Sequence, residues 1–276
     1  MLLAADDRGV LLIGQQSHAW ISGQLARAWG NGRFGAVEPH EEVCLGAEQH
    51  DIGMSWWDLA PTRNPDSGLP HSFIEMPLEV HLSLWSEGPR RLVSQSRYAA
   101  LLASMHGSRL YEMRDLNALA APQADAVREF LSGQREFQQQ LLSSLRADPV
   151  TSDDAAPDVV ARNSQLLWTW DFLSLAICLG WAPCSARAVP TADPGAPTDL
   201  ELSADTAHNQ LIVDPWPFHR PSVSLRTEGR RLTDRFDNDE ALAVALRDAP
   251  WEAVEIELVP AAQAANVAAP AFSPPA

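Results

Sequence analysis

The chain has few cysteines and no recognisable cysteine motif. Its 276 residues include three, Cys44, Cys178 and Cys184, which is an odd number. Two of them lie in apolar helical segments, so we expect buried thiols rather than disulfides. No CxxC pair and no cysteine–histidine pair at zinc-finger spacing occurs. The cysteine pattern therefore argues against both a disulfide framework and a zinc finger.

Basic residues and long apolar runs are also scarce. Lys and Arg number 20 against 36 Asp and Glu, which gives a formal net charge of −16. Such a charge disfavours nucleic acid or anionic lipid as a partner, although a local group of Arg around a phosphate is compatible with it. The first seven residues lack the parts of a signal peptide, and no apolar run approaches the roughly 20 residues of a membrane span. We therefore expect a cytoplasmic protein without nucleic-acid or membrane partners.

Apolar and aromatic residues, by contrast, are plentiful. Hydrophobic residues make up 46% of the chain, and ten residues are Trp, so the chain can bury a core. The length suits one large domain, or one domain with a smaller appendage. We expect a mainly α-helical bundle over residues 1–188 and a small α+β subdomain over 189–260, where apolar and polar residues alternate as in strands. The Ala/Pro-rich tail, 261–276, is expected to be disordered.

The segment 43–54 predicts an apolar helix that ends in an adjacent His-Asp pair. Five residues of this segment share one helical face: Val43, Ala47, His50, Asp51 and Met54. Ionisable residues on an apolar face are costly to bury unless they are paired. A divalent metal is a suitable partner for His50 and Asp51, because imidazole and carboxylate are both good ligands. Gly53 would then mark the end of the helix.

Four further residues are candidate ligands on predicted helices. His18 lies on the apolar face of a helix over 15–29, and Asp171 lies within a very apolar helix over 159–180. His81 falls on a short helix and His106 on a helix over 96–113. The alternative for each histidine is a core or surface residue, and the alternative for Asp171 is an ion pair with Arg.

The tetrapeptide His50-Asp51-Ile52-Gly53 is similar to the signature of the HD superfamily of metal-dependent phosphohydrolases. The order His18, His50-Asp51, His81, His106, Asp171 matches the two-metal pattern of that superfamily. The chain also resembles a bacterial family of HD-like proteins of unknown function. Five segments carry that resemblance: Gln16–Ala19, the His50-Asp51 segment, Ser104–Gly107, Asp171–Leu175 and Pro215–Phe218.

The resemblance implies an HD-like helical bundle and a hydrolase that acts on a phosphate ester or a nucleotide-like small molecule. One or two divalent ions would be held by the six residues His18, His50, Asp51, His81, His106 and Asp171. Fe, Mn, Mg, Ni and Zn are not distinguished by this ligand set. Asp51 and His106 are the candidate catalytic residues.

Three residues are candidate substrate contacts. Trp57 and Asp58 follow the His-Asp pair in a turn-rich region, where they form either one wall of the pocket or an aromatic cap on the core. Arg109 lies near His106 and could neutralise a phosphate, as could Arg97 or Arg114. The alternative for these arginines is ordinary surface charge.

Other functions remain open from the sequence. The same ligand pattern resembles HD-type diiron oxygenases, but those usually carry Lys where this chain has Met54. A non-catalytic, metal-stabilised binding or signalling domain would keep some ligands for structure. A purely structural helical protein would use the histidines in its core. The sequence is also compatible with a homodimer.

Overall fold

A curled, mixed β-sheet lies against a set of helices in the computed structural model, which describes residues 1–262. Within these residues the sheet has seven strands. Their bounds are β1 Leu2–Asp6, β2 Gly9–Ile13, β3 Cys184–Val189, β4 Thr198–Asp205, β5 Gln210–Asp214, β6 Val223–Leu232 and β7 Trp251–Pro260.

Seven of the helices described here occupy the chain between β2 and β3, and one follows β6. Their bounds are α1 Gln15–Ala28, α2 His40–Gln49, α3 Ser55–Leu59, α4 Leu78–Leu92, α5 Arg97–Glu112, α6 Ala121–Arg146, α7 Pro157–Leu179 and α8 Asp239–Asp248. Helix α1 contacts α2, α7 and β6, so it lies between the other helices and the sheet. The predicted helices that carry His18, His106 and Asp171 are confirmed, and so is a helix that carries His81.

The strand order is β1-β2-β6-β7-β5-β4-β3. Adjacent strands are antiparallel except β5 and β7, which are parallel. In β6, residues Val223, Leu225 and Thr227 are buried while the residues between them are exposed, which is the alternation expected of a strand with one face on the core. The sheet joins both ends of the described chain, because Leu12 of β2 pairs with Arg230 of β6.

The prediction of a mainly α-helical bundle with a small α+β appendage is wrong. The chain is about half helix and one fifth strand, and the sheet includes the N-terminal strands β1 and β2. Leu11, Leu225 and Leu258 of the sheet share one hydrophobic core with Leu25 and Trp170 of the helices. Local periodicity identifies single strands, but it does not reveal pairing between residues more than 200 positions apart, so an all-α protein was the incorrect expectation.

The predicted boundary at residue 188 falls inside strand β3. Of the predicted disordered tail, residues 263–276 lie outside the described residues. Among residues 1–262, no helix combines the length and the apolar character that crossing a membrane requires.

The segment after α2 departs from the predicted continuous helix. Helix α2 ends at Gln49, His50 is its C-cap, and a 3₁₀ turn over Ile52–Met54 follows. Gly53 lies inside this turn rather than at the helix end, and a Cβ there would overlap the carbonyl oxygen of Leu84. A glycine is needed at this position because the 3₁₀ turn packs directly on α4.

Candidate metal centre

Four of the predicted ligands meet in the interior between α1, the end of α2 and α7. His18, His50, Asp51 and Asp171 are each no more than 9% exposed. The Nε2 atom of His18 lies 2.8 Å from Oδ2 of Asp51, and Nε2 of His50 lies 3.2 Å from Oδ1 of Asp171. Ligands bound side by side to one metal at 2.0–2.2 Å are roughly 3 Å apart. The four side chains therefore could hold a metal ion.

The hydrogen bonds of His50 orient its ring toward the carboxylates. Its Nδ1 atom lies 2.8 Å from the carbonyl oxygen of Ala47, which can only accept, so Nδ1 carries the hydrogen and donates. In neutral His50 the Nε2 lone pair then faces Asp171 Oδ1 at 3.2 Å and Asp51 Oδ2 at 3.7 Å. A lone pair that faces two carboxylates requires a positive charge between them, either a proton or a metal ion.

His18 repeats this arrangement through a serine. The hydroxyl of Ser174 donates to the carbonyl oxygen of Asp171 at 2.8 Å, so it accepts from Nδ1 of His18 at 2.9 Å. Nε2 of His18 is left to face Asp51. Metal-ligating histidines commonly donate their second ring N–H in this way, which sets both tautomer and orientation.

The charges of the cluster shift its pKa values in opposite directions. Burial opposes a charge on His50, but the neighbouring Asp51 and Asp171 raise its pKa to about 9. Burial also opposes charge on the two carboxyls, yet the surrounding histidines lower the pKa of Asp51 and of Asp171 below the usual range. Both carboxylates are therefore ionised at neutral pH, and the pair of negative charges is suited to a divalent cation.

His106 adjoins the cluster as a fifth candidate ligand. Its Nε2 atom lies 3.6 Å from Oδ2 of Asp171, and its ring centroid is 4.9 Å from that of His50. Burial lowers the pKa of His106 to about 4, against the opposing effect of Asp171, so the ring is neutral. Its Nδ1 atom is buried and has no hydrogen-bond partner among residues 1–262. The described structure therefore brings His106 into the candidate centre.

The ring nitrogens of His81 are both engaged outside the cluster. The indole N–H of Trp85 donates to Nε2 of His81 at 2.9 Å, so Nδ1 must carry the ring hydrogen, which points to the hydroxyl of Tyr111. Burial lowers the pKa of His81 to about 4, despite the opposing charge of Asp51. His81 lines the cavity beside the centre, but no lone pair of its ring is available to a metal.

None of the three predicted substrate contacts lines this cavity. Trp57 packs against the hydrophobic cluster around Met54. Asp58 is half-buried, accepts the backbone N–H of Gln15 and lies 2.9 Å from the backbone nitrogen of Met1, so it ties the start of α1 to β1. Arg109 stacks 4.2 Å over the ring of Trp168 and donates to Gln165 at 2.7 Å.

Other residues line the cavity instead. The cavity has a volume of about 210 Å³, and His18, Asp51, His106 and Asp171 form part of its lining. Arg114, one of the three arginines considered from the sequence, lies at its edge and stacks 4.9 Å over Tyr111. Gln15 also lines it, and the Nε2 atom of its side chain is buried without a hydrogen-bond partner in residues 1–262. No sequence signal marked Gln15.

The comparisons with known proteins give a family but no activity. The model of the family described as "Protein of unknown function (DUF3891)" matches residues 1–234. The chain belongs to this family. The matched residues contain all five candidate ligands and strands β1 to β6, whereas α8 and β7 lie beyond them.

No curated protein and no solved structure matches the chain. Membership of the DUF3891 family thus supplies neither a substrate nor a metal. The resemblance to the HD superfamily stays a prediction, and the function has to be argued from the cluster and its cavity.

Proposed function

We propose that this chain is a metal-dependent hydrolase of phosphate esters. The observation that carries the proposal is the meeting of His18, His50, Asp51 and Asp171 in one buried cluster, three of whose members line a cavity. Both histidines present a ring-nitrogen lone pair to a carboxylate, which favours a cation between these side chains. A purely structural role would leave a proton on His50 as the counter-charge to two buried carboxylates, and burying ionised groups in this way is costly in stability.

The hydrogen bonds favour one metal ion rather than two. The residues form two possible ligand triads, His18/His50/Asp51 and His50/His106/Asp171, and both use His50. His50 has one free nitrogen, Nε2, because Nδ1 donates to Ala47. The two triads therefore describe parts of a single centre. A second centre would need His81, whose ring nitrogens are engaged by Trp85 and Tyr111, so the diiron oxygenase is the weaker alternative.

The residues around the cavity have distinct roles in this proposal. Asp51 and Asp171 hold the cation as ionised carboxylates. A pKa near 4 makes His106 a poor proton acceptor at neutral pH, so we assign it the role of a neutral ligand. Arg114 binds the phosphate, and Gln15 donates from its unpaired amide. The divalent cation, when bound, supplies Lewis-acid stabilisation of charge on a phosphoryl oxygen.

The test combines metal content with turnover. The chain is purified without chelator or metal-affinity chromatography, its metal is measured by elemental analysis, and it is assayed on a panel of phosphate esters with Mg, Mn, Fe, Ni or Zn. We expect about one equivalent of a divalent metal and turnover of at least one ester. His50→Ala should lose both, whereas His219→Ala, at an exposed position, should keep both.

Each other result has a definite meaning. Metal binding without turnover of any ester would replace the hydrolase with a metal-stabilised binding domain. Two equivalents of bound iron would favour the diiron oxygenase over the hydrolase. An absence of metal even after reconstitution, with both variants folded, would overturn the proposal.

A further inference from the structure

The cavity above the candidate metal centre has a composition that restricts its ligand. At about 210 Å³ it is smaller than the roughly 300–1,000 Å³ of pockets that enclose drug-sized ligands. Its floor is the His/Asp cluster, and its upper walls are largely apolar. The apolar residues of these walls are Phe73, Ile74, Trp85, Leu110 and Leu175.

The charges around the cavity suit a single phosphate group. A divalent cation would be neutralised by Asp51 and Asp171, which leaves the floor without net charge. The chain contains no lysine, and among the described residues that line the cavity, Arg114 is the one arginine. The ring nitrogens of His81 are engaged by Trp85 and Tyr111. A polyphosphate would also approach against a net charge of −16.

The upper wall offers apolar surface to the rest of the ligand. Ile74 is 78% exposed at the rim, in a 3₁₀ turn over Phe73–Glu75 that a capping box between Ser72 and Glu75 stabilises. Leu110 and Leu175 also line the cavity and are half-buried. An ordered, exposed isoleucine beside a cavity is suited to cover an apolar group when a ligand enters.

We propose that the ligand is a small molecule with one phosphate group and an apolar remainder about the size of a single ring. This inference rests on the proposed function, because it places the phosphate at the metal centre and at Arg114. The unpaired amide of Gln15 adds a hydrogen bond to the phosphate or to its ester oxygen. The apolar remainder contacts Ile74 and Leu110.

The experiment measures binding, so that it does not depend on turnover. Phenylphosphonate, 2-hydroxyethylphosphonate and ATP are titrated into the metal-loaded chain by calorimetry. We expect phenylphosphonate to bind at least tenfold more tightly than either of the others. Ile74→Asn should reduce this preference severalfold, whereas Val150→Asn, which changes an apolar residue that is 86% exposed outside the cavity, should leave it unchanged. Arg114→Gln should weaken both phosphonates equally.

Turnover of phenyl phosphate, measured in parallel, separates this inference from the proposed function. A preference for phenylphosphonate without hydrolysis of phenyl phosphate would support the ligand class and count against the hydrolase. Hydrolysis with equal binding of the two phosphonates, or with tighter binding of ATP, would support the hydrolase and overturn the ligand class. If neither phosphonate binds the metal-loaded chain, the ligand class is overturned as well.

Discussion

The Nε2 atom of His50 lies 3.2 Å from Oδ1 of Asp171, although 121 positions separate the two residues in the chain. Because Nδ1 of His50 donates to the carbonyl oxygen of Ala47, the Nε2 lone pair of the neutral ring faces this carboxylate. The pair needs a cation between its members. In the metal-free chain a proton on His50 supplies this positive charge, and the pKa of His50 is accordingly raised to about 9. We propose that a metal ion replaces this proton.

Asp171→Asn should abolish stabilisation by metal. The amide keeps the size of the side chain but loses the charge that binds the ion. At a metal concentration of 100 times Kd, binding stabilises a folded chain by about 2.7 kcal/mol, which raises the melting temperature by several degrees. We expect this rise, measured by thermal unfolding with and without metal, in the wild type and in Asp125→Asn, whose carboxylate pairs with Arg128 at the surface. An equal rise in Asp171→Asn would contradict the assignment.

Ser174→Ala should weaken metal binding without removing a ligand. Ser174 accepts the Nδ1–H of His18 and is fully buried, so its loss frees the His18 ring to change tautomer and orientation. Changes of this kind lower metal affinity by about 10- to 100-fold. Competition titration with a chelator dye would measure the affinity, and Ser143→Ala, at an exposed position of α6, is the control. Unchanged affinity in a folded Ser174→Ala chain would show that the serine does not orient the ligand.

The metal-free chain should lose stability as the pH falls from 6.5 to 4, partly through His81. The pKa of His81 is about 4 in the folded chain, lowered from 6.5 by burial. Between these values the unfolded chain binds a proton that the folded chain does not, so the free energy of unfolding falls by up to about 1.4 kcal/mol per pH unit. His81→Gln can still accept from Trp85 and donate to Tyr111 while it removes the titration. Urea unfolding across this pH range should show that the free energy of unfolding falls less steeply with decreasing pH in His81→Gln than in the wild type. An equal dependence on pH in the two chains would contradict a neutral His81.

Gly107→Ala should lower the free energy of unfolding, because it disturbs Trp85 in the wall of the cavity. A Cβ at Gly107 would overlap the indole of Trp85, which is 3% exposed and donates to His81. Overpacking of this kind costs about 1–3 kcal/mol. Gly133→Ala on α6 is the matched control, because nothing lies within 4 Å of its Cβ, and it should stabilise the helix by about 0.5–1 kcal/mol. Urea unfolding would measure both, and a neutral Gly107→Ala would mean that Trp85 can move.

The fold could be predicted from the sequence only in part. The helices that carry His18, His106 and Asp171 follow from apolar residues at spacings of three and four, because that periodicity is a property of the local chain. The pairing of strands in the sheet cannot be predicted from local periodicity in the same way. The pairing of Leu12 with Arg230 joins strands from opposite ends of the described chain, and alternation within either strand carries no information about its partner.

The ligand cluster was predictable and its surroundings were not. His18, His50, Asp51 and Asp171 are ionisable residues on apolar helical segments, so burial and a cationic partner follow from the energetic cost of leaving them unpaired. His81 and Arg109 have equally suggestive positions in the sequence. In the structure, however, His81 is hydrogen-bonded to Trp85 and Tyr111. Arg109 stacks on Trp168 and donates to Gln165. Those contacts depend on how whole helices are rotated against each other.

The sequence by itself determined that His18 and Asp171 lie on buried helical faces and that His50 and Asp51 call for a cationic partner, whereas the family resemblance added both His81 and His106 to the predicted ligands. Only the tertiary structure decided that His81 has no lone pair to offer, that Asp58 ties α1 to β1, and that Gln15 and Arg114 line the cavity. The physical reason is that periodicity defines the face of an element from local geometry alone. The partner of each side chain is defined by the relative placement of elements distant in the chain, and that placement is set by packing of the whole core.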